Sequence, residues 1–165
     1  MGHDTKPAPA NGRDQDNELA LKLFVVLARA ETAVERHAAA DAARHGLTLS
    51  EFAVLEALFH KGPLLLGDVQ RKVLVSSGGI TYLVDRLERK GLVERRPCAE
   101  DRRAVWAALT PAGEALIRRI FPEHESALGD ALGALSEDEK RAAIELLRRL
   151  GRFAAELPLP ADDGR

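Results

Sequence analysis

The stretch SSGGITYLVDRLERKGLVERRPCAEDRR, Ser76 to Arg103, gathers the residues whose chemistry stands out most. Two small hydroxyl residues, Ser76 and Ser77, are followed by Gly78, Gly79 and an amphipathic run. With Ile80, Leu83, Val84 and Leu87 as the inward stripe of a helix, the outward set is Ser77, Gly78, Thr81, Tyr82, Asp85, Arg86 and Arg89. A first turn without bulk lets unpaired helix N–H groups, and the positive end of the helix dipole, come close to an anion. Each glycine costs up to about 1 kcal/mol against alanine in a helix, less in the first turn. Two explanations of that cost stand: close approach to a partner, or tight packing of this helix on the one before it. Arg95, Arg96, Arg102 and Arg103 follow, interrupted by Glu100 and Asp101.

A nucleic acid answers to this chemistry. Arginine pairs with guanine edges and threonine meets thymine methyls, so Arg86 and Thr81 are the expected base readers. Tyr82 has two roles open to it, at this surface or packed on the segment that follows. Arginines on an exposed hairpin suit a narrow minor groove, although a solvated charged loop has the same composition. The net charge of −2 argues against a polyanion partner only until its distribution is read. Residues 67–110 hold 9 Lys/Arg against 6 Asp/Glu, whereas residues 1–66 hold 7 against 9 and residues 111–165 hold 8 against 11. A basic centre between acidic flanks presents one surface to a polyanion.

The elements that must position these side chains are legible in the spacing. From Asn17 to Arg44 there is neither proline nor glycine, and Leu19, Leu23, Val26, Ala30, Val34 and His37 recur near helical spacing. Gly46 ends this helix, whose length suggests packing beyond its own domain, with dimerisation as the natural reason. Thr48 to Glu51 fits a capping box before a second helix carrying Phe52, Val54, Leu55, Leu58 and Phe59. Leu64–Leu66 forms a bridge or a small strand, and a third helix turns Val69, Val73 and Leu74 inward. Ser76 or Ser77 caps the fourth helix, which runs from about Ser77 to Lys90. Leu92–Pro97 and Arg102–Leu109 read as a two-stranded hairpin. Thr110 and Pro111 open a fifth helix, which Pro122 is expected to kink or break. Ser136 to Glu139 is a second capping box, and the sixth helix carries Ala143, Leu146, Leu147, Leu150 and Phe153 to about Glu156. The fold class expected is mainly α with a small β-hairpin wing: a winged helix-turn-helix plus a helical dimerisation region.

The run SSGGITYLVDRLERKGLVERRPCAEDRRAVWAALTPAGEAL closely resembles the multiple antibiotic resistance regulator (MarR) family of bacterial transcription factors. ITYLVDRLERKGLVER, the DRR at the wing tip and LTPAGEAL carry the likeness, and LTLSEFAVLEAL with its flanking helices extends it over residues 18–155. The resemblance implies a homodimer interlocked through its first, fifth and sixth helices. It implies repression at pseudo-palindromic operators in double-stranded DNA, and release by a small ligand or by oxidation. It also implies that Asp85 pairs with Arg103 to orient the wing and that Asp101 shapes the wing tip. The expected division is a flexible tail at 1–16, a dimerisation helix at 17–46, the DNA-binding lobe at 47–109, dimerisation helices at 110–157 and a flexible tail at 158–165.

Sensor chemistry has several candidates. Cys98 lies among four arginines, which favour a thiolate and suit oxidant or quinone sensing. The family's peroxide sensors carry their cysteine in the first helix, which has none here. The effector pocket implied by the resemblance draws on Arg36, His37, Phe52, Phe59, His60 and Trp106, for a small aromatic or phenolic compound. His37 and Phe52 equally suit core or dimer contacts, and Trp106 equally suits packing. The histidines show no His-x-x-x-His pair, and only His124 falls on the fifth helix, so no metal and no cofactor is expected. No Gly-x-Ser-x-Gly, P-loop or dinucleotide fingerprint occurs, so no enzyme is expected. A winged helix that binds only protein is the rival of another class; it would not need four wing arginines. One cysteine, no signal peptide and no long apolar run point to a cytoplasmic protein without membrane contact.

Overall fold

The computed structural model describes residues 12–73, 77–98 and 104–159. In chain order the elements are α1 (Gly12–Arg44), α2 (Leu49–Lys61), β1 (Leu64–Leu65), α3 (Leu66–Val73), α4 (Ser77–Arg89), β2 (Val93–Pro97), β3 (Val105–Leu109), α5 (Pro111–Ala131) and α6 (Glu137–Glu156). The chain divides into two compact units, Met1–Leu128 and Gly129–Arg165. No described helix is long and apolar enough to cross a membrane.

In the first unit, α2, α3 and α4 pack around one apolar core with the sheet beside it. Phe52, Val54, Leu55 and Leu58 enter from α2, Val69 from α3, and Ile80, Leu83, Val84 and Leu87 from α4. Ile117 and Ile120 of α5 and Ala42 of α1 close the same core. Thr48 caps α2 as its sequence predicts: its hydroxyl accepts from the Glu51 N–H, and the Glu51 carboxylate accepts from the Thr48 N–H at 2.7 Å. At the end of α4, Gly91 takes φ +71°, a left-handed turn that reverses the chain into β2.

The sheet has three strands in the order β1-β3-β2, all antiparallel. The expected hairpin is therefore joined by a two-residue third strand, with Leu64 opposite Ala107 and Leu65 opposite Trp106. The first helix also begins five residues earlier than its spacing suggests, at Gly12 rather than Asn17, with Asp14 in its first turn. An acid there interacts favourably with the helix dipole. Pro122 does not break α5, which continues to Ala131. Pro122 is exposed, so water can reach the carbonyl that its missing N–H leaves unpaired. Leu74, Ser76, residues 99–103 and both chain ends fall outside the described residues.

The two units share one property, each on its own surface. In the first, Leu19, Leu21, Leu23, Phe24, Val25 and Val26 of α1 are all exposed. In the second, no residue of α6 is buried, and Ile144, Leu146, Leu147, Leu150 and Phe153 are exposed.

Candidate DNA-binding surface

The outer face of α4 is positioned by what lies beneath it. Its inner stripe is sealed: Val84 and Leu87 have no exposure, and Ile80 and Leu83 have little. That fixes Gly78, Thr81, Tyr82, Asp85 and Arg89 outward, each exposed. A Cβ built on Gly78 meets no described atom within 4 Å. Packing among the described residues thus gives no reason for glycine at 78. Ser77 begins the helix.

Three anchors hold this face. The first is Glu51, a buried carboxylate of α2 with no exposure. Lys90 Nζ lies 2.9 Å from its Oε2 and Arg86 Nε lies 3.0 Å from its Oε1. The Arg86 contact is an ion pair off the line of a hydrogen bond, which leaves Oε1 without a hydrogen-bond partner. Burial pushes the Glu51 carboxyl up, but the Thr48 N–H bond and the Lys90 and Arg86 charges outweigh it and hold the pKa below its ordinary value. Lys90 Nζ also donates to the Gly46 carbonyl at 2.8 Å, tying the end of α4 to the α1–α2 turn.

The second anchor is Arg95. Its N–H donates to Glu88 Oε1 at 2.9 Å, and its guanidinium pairs with Asp85 at 2.7 Å, with Glu88, and with the Thr81 carbonyl at 3.3 Å. Strand β2 is thereby stapled along α4. Asp85 has Arg95 as a described partner; Arg103, its expected partner, lies outside the described residues with Arg102 and Asp101. The third anchor joins the wing to α5. The Thr110 hydroxyl donates to the Gly91 carbonyl at 2.6 Å and accepts from the Gly113 N–H at 3.0 Å.

These contacts place the expected residues. Arg86 is held by Glu51 and by the Tyr82 hydroxyl at 3.3 Å, with its guanidinium 5.7 Å from the Tyr82 ring. The Tyr82 contact, followed by Glu51, raises the Arg86 pKa further. Tyr82 itself is 55% exposed and belongs to the outward face, not to the wing packing. Arg96 is neutralised by Glu94 at 2.6 Å. Arg89 is exposed and makes no carboxylate contact among the described residues; its Nε reaches only the Asp85 carbonyl, at 3.3 Å. Cys98 is half-buried, and its N–H donates to the Ala104 carbonyl at 3.2 Å. The anchors Glu51, Glu88 and Lys90 escaped the sequence reading. Only the capping box around Glu51 signalled any of them.

The six expected effector residues do not meet in one place. Arg36 and His37 line an open groove on α1 with Ala33 and Ala40. Phe52 is core, 4.1 Å from the His124 ring between centroids. Phe59 and His60 join Phe121 in an aromatic cluster. Trp106 sits half-buried in β3 opposite Arg96. Phe59 also lines a cavity of about 400 Å³, with Pro63, Arg96, Leu109, Glu114 and Arg118.

Comparison with known proteins agrees with this geometry. A sequence model of the MarR family matches residues 45–104. The HTH-type transcriptional regulator MhqR of Bacillus subtilis is 42% identical over 134 residues, spanning 81% of this chain and 92% of that protein. The Bordetella bronchiseptica regulator BpsR, whose DNA binding is regulated by 6-hydroxynicotinic acid, is 29% identical with a TM-score of 0.69, covering 79% of this chain and 98% of BpsR. A mutant MarR of E. coli complexed with operator DNA shares the fold at a TM-score of 0.74 and 24% identity, over 81% of this chain and 96% of that one. A sealed recognition helix, a strand stapled along it and these likenesses lead to one conclusion: the chain belongs to the MarR family of helix-turn-helix transcriptional regulators, and it is not an enzyme.

Proposed function

We propose that the chain is a homodimeric, cytoplasmic repressor that places the outer face of α4 in the major groove of a pseudo-palindromic operator. The observation that carries this reading is Gly78, in the first turn of a helix whose other face is sealed, with no described neighbour in its own chain. Gly78 permits approach, Thr81 and Tyr82 face the bases, Arg89 with the wing arginines Arg102 and Arg103 supplies positive charge toward phosphate, and Arg95 holds the wing on α4. Residues 47–109 form the DNA-binding lobe. Residues 17–46 and 110–157 form the dimer, which accounts for two apolar surfaces too large to leave to water.

The test is fluorescence anisotropy with the duplex flanking the protein's own gene, titrated over a range of salt. Affinity should fall steeply as salt rises, because bound phosphates release counterions. Arg95→Ala should weaken binding roughly tenfold, since it frees Asp85 and Glu88 beside the phosphates and loosens β2 from α4. Undiminished binding by a folded Arg95→Ala variant would remove the staple from the account.

Release by a small aromatic or phenolic ligand is part of the proposal. The 400 Å³ cavity offers the Phe59 ring with the Arg118 guanidinium 5.4 Å from its centroid, which suits an aromatic anion. The cavity touches β3 and Arg96, so a ligand there bears on the wing. 6-Hydroxynicotinic acid and simple phenols, added to the preformed DNA complex, are the first probes to try.

A further inference from the structure

We propose that Asp41, His45 and Glu123 bind a first-row divalent cation of the zinc class, with His124 fixing the Asp41 carboxylate. Asp41 lies in the last turn of α1 and His45 in the turn just after it, where the His45 N–H donates to the Ala42 carbonyl at 3.0 Å. Glu123 and His124 come from α5. One oxygen or nitrogen from each of Asp41, His45 and Glu123 lies within 4.8 Å of the others. The sequence shows no such cluster, because its halves are about eighty residues apart.

Burial makes this more than a surface coincidence. The Asp41 side chain is 3% exposed, that of His124 7% and that of His45 9%. His124 Nδ1 sits 3.0 Å from Asp41 Oδ2, a carboxylate–histidine pair of the kind that orients metal ligands. His45 Nε2 is buried with no hydrogen-bond partner, 3.5 Å from Glu123 Oε2. A buried ring nitrogen without a hydrogen-bond partner is disfavoured, and a cation on that nitrogen removes the penalty. With metal–ligand bonds of about 2.0–2.2 Å, two donors on a tetrahedron stand about 3.4 Å apart, close to the His45–Glu123 separation. Asp41, within 4.8 Å of the other two, completes the set by closing toward them, and water takes the fourth position. Imidazole with carboxylates favours zinc, cobalt or nickel over soft cuprous ion.

Arg44 occupies the carboxylates meanwhile: its guanidinium lies 3.3 Å from Asp41 Oδ1 and 3.3 Å from Glu123 Oε2. Its side chain is 66% exposed and is free to swing out, and it makes no bond to His45 Nε2. Arg44 is therefore the competitor that an incoming cation displaces. The site also borders the recognition helix, because Gly46, next to His45, accepts from Lys90. Nothing in this inference depends on the DNA reading.

The experiment is a titration of the full, untagged chain with Zn²⁺ against a chromophoric chelator, repeated with Co²⁺ to read its visible absorption. Wild type should bind one equivalent per chain, and Co²⁺ should give the intense bands of a four-coordinate N/O site. His45→Ala should lower the affinity roughly tenfold or more, with circular dichroism unchanged. Arg44→Ala should raise it. Should His45→Ala fail to fold, Glu123→Gln, at a 43% exposed side chain, decides by the same loss. No stoichiometric binding, or binding that survives the loss of His45 or Glu123, overturns the proposal.

Discussion

Gly113→Ala is expected to unfold the lobe about 3 kcal/mol more easily than wild type, the upper range for overpacking. A Cβ there would lie 1.9 Å from the Leu92 carbonyl oxygen and 2.9 Å from its carbon. These are backbone atoms, so no side-chain rotation relieves the clash. The first turn of α5 must move off the link between α4 and β2. That movement breaks the Thr110 N–H bond to Leu92 O, 3.1 Å in wild type, and disturbs the hydroxyl bond to Gly91. Alanine's better helix propensity returns about 1 kcal/mol at most. In a chain of this size the melting temperature should fall by roughly 6–12 °C. Gly129→Ala, in the same helix with open space at its Cβ, is the control and should melt at or above wild type. Equal melting of the two variants would mean that α5 does not press on Leu92.

The second large effect belongs to Glu51. Glu51→Ala removes the N3 acceptor of the α2 capping box and leaves Lys90 and Arg86 without their carboxylate. Breaking a buried pair costs about 3–5 kcal/mol, but both cations are about one-third exposed and can rehydrate, which brings the expectation to about 2–3 kcal/mol. Operator affinity should fall with it, because both cations belong to the end of α4. The pH dependence has a definite sign. The folded pKa of Glu51 lies below the ordinary 4.5, so its contribution is fully present above that value and is lost as pH falls through the folded one. Glu51→Gln keeps the shape and loses the charge. Its deficit against wild type, measured by urea unfolding, should be largest near neutral pH and shrink below about pH 4.5. A deficit constant across that range would show that the charge contributes nothing.

Local signals in the chain proved sufficient for most of the lobe. The stripe Ile80, Leu83, Val84, Leu87 is buried as its spacing requires, and Thr48, Thr110 and Ser136 cap the helices they precede. Strand β1 was harder to read, because two residues carry no period and their pairing is set by β3. Contacts between distant residues left no trace at all. Glu51 meets Lys90 across 39 positions and Asp41 meets His124 across 83, and neither pairing has a local pattern. The same limit hid the Glu51 partner of Arg86, which lies in another helix.

The central claim is that the first turn of α4 comes close to DNA, and Gly78→Leu tests it most directly. The leucine has open space in the isolated chain, so the variant should fold and melt like wild type. On DNA it should stand where the helix meets the duplex, and overpacking of about 1–3 kcal/mol corresponds to roughly a tenfold to hundredfold loss of affinity. Anisotropy titration of the duplex flanking the gene, at one salt concentration, gives the answer. A folded Gly78→Leu variant that has lost binding is the predicted result. One that binds as tightly as wild type would contradict the account.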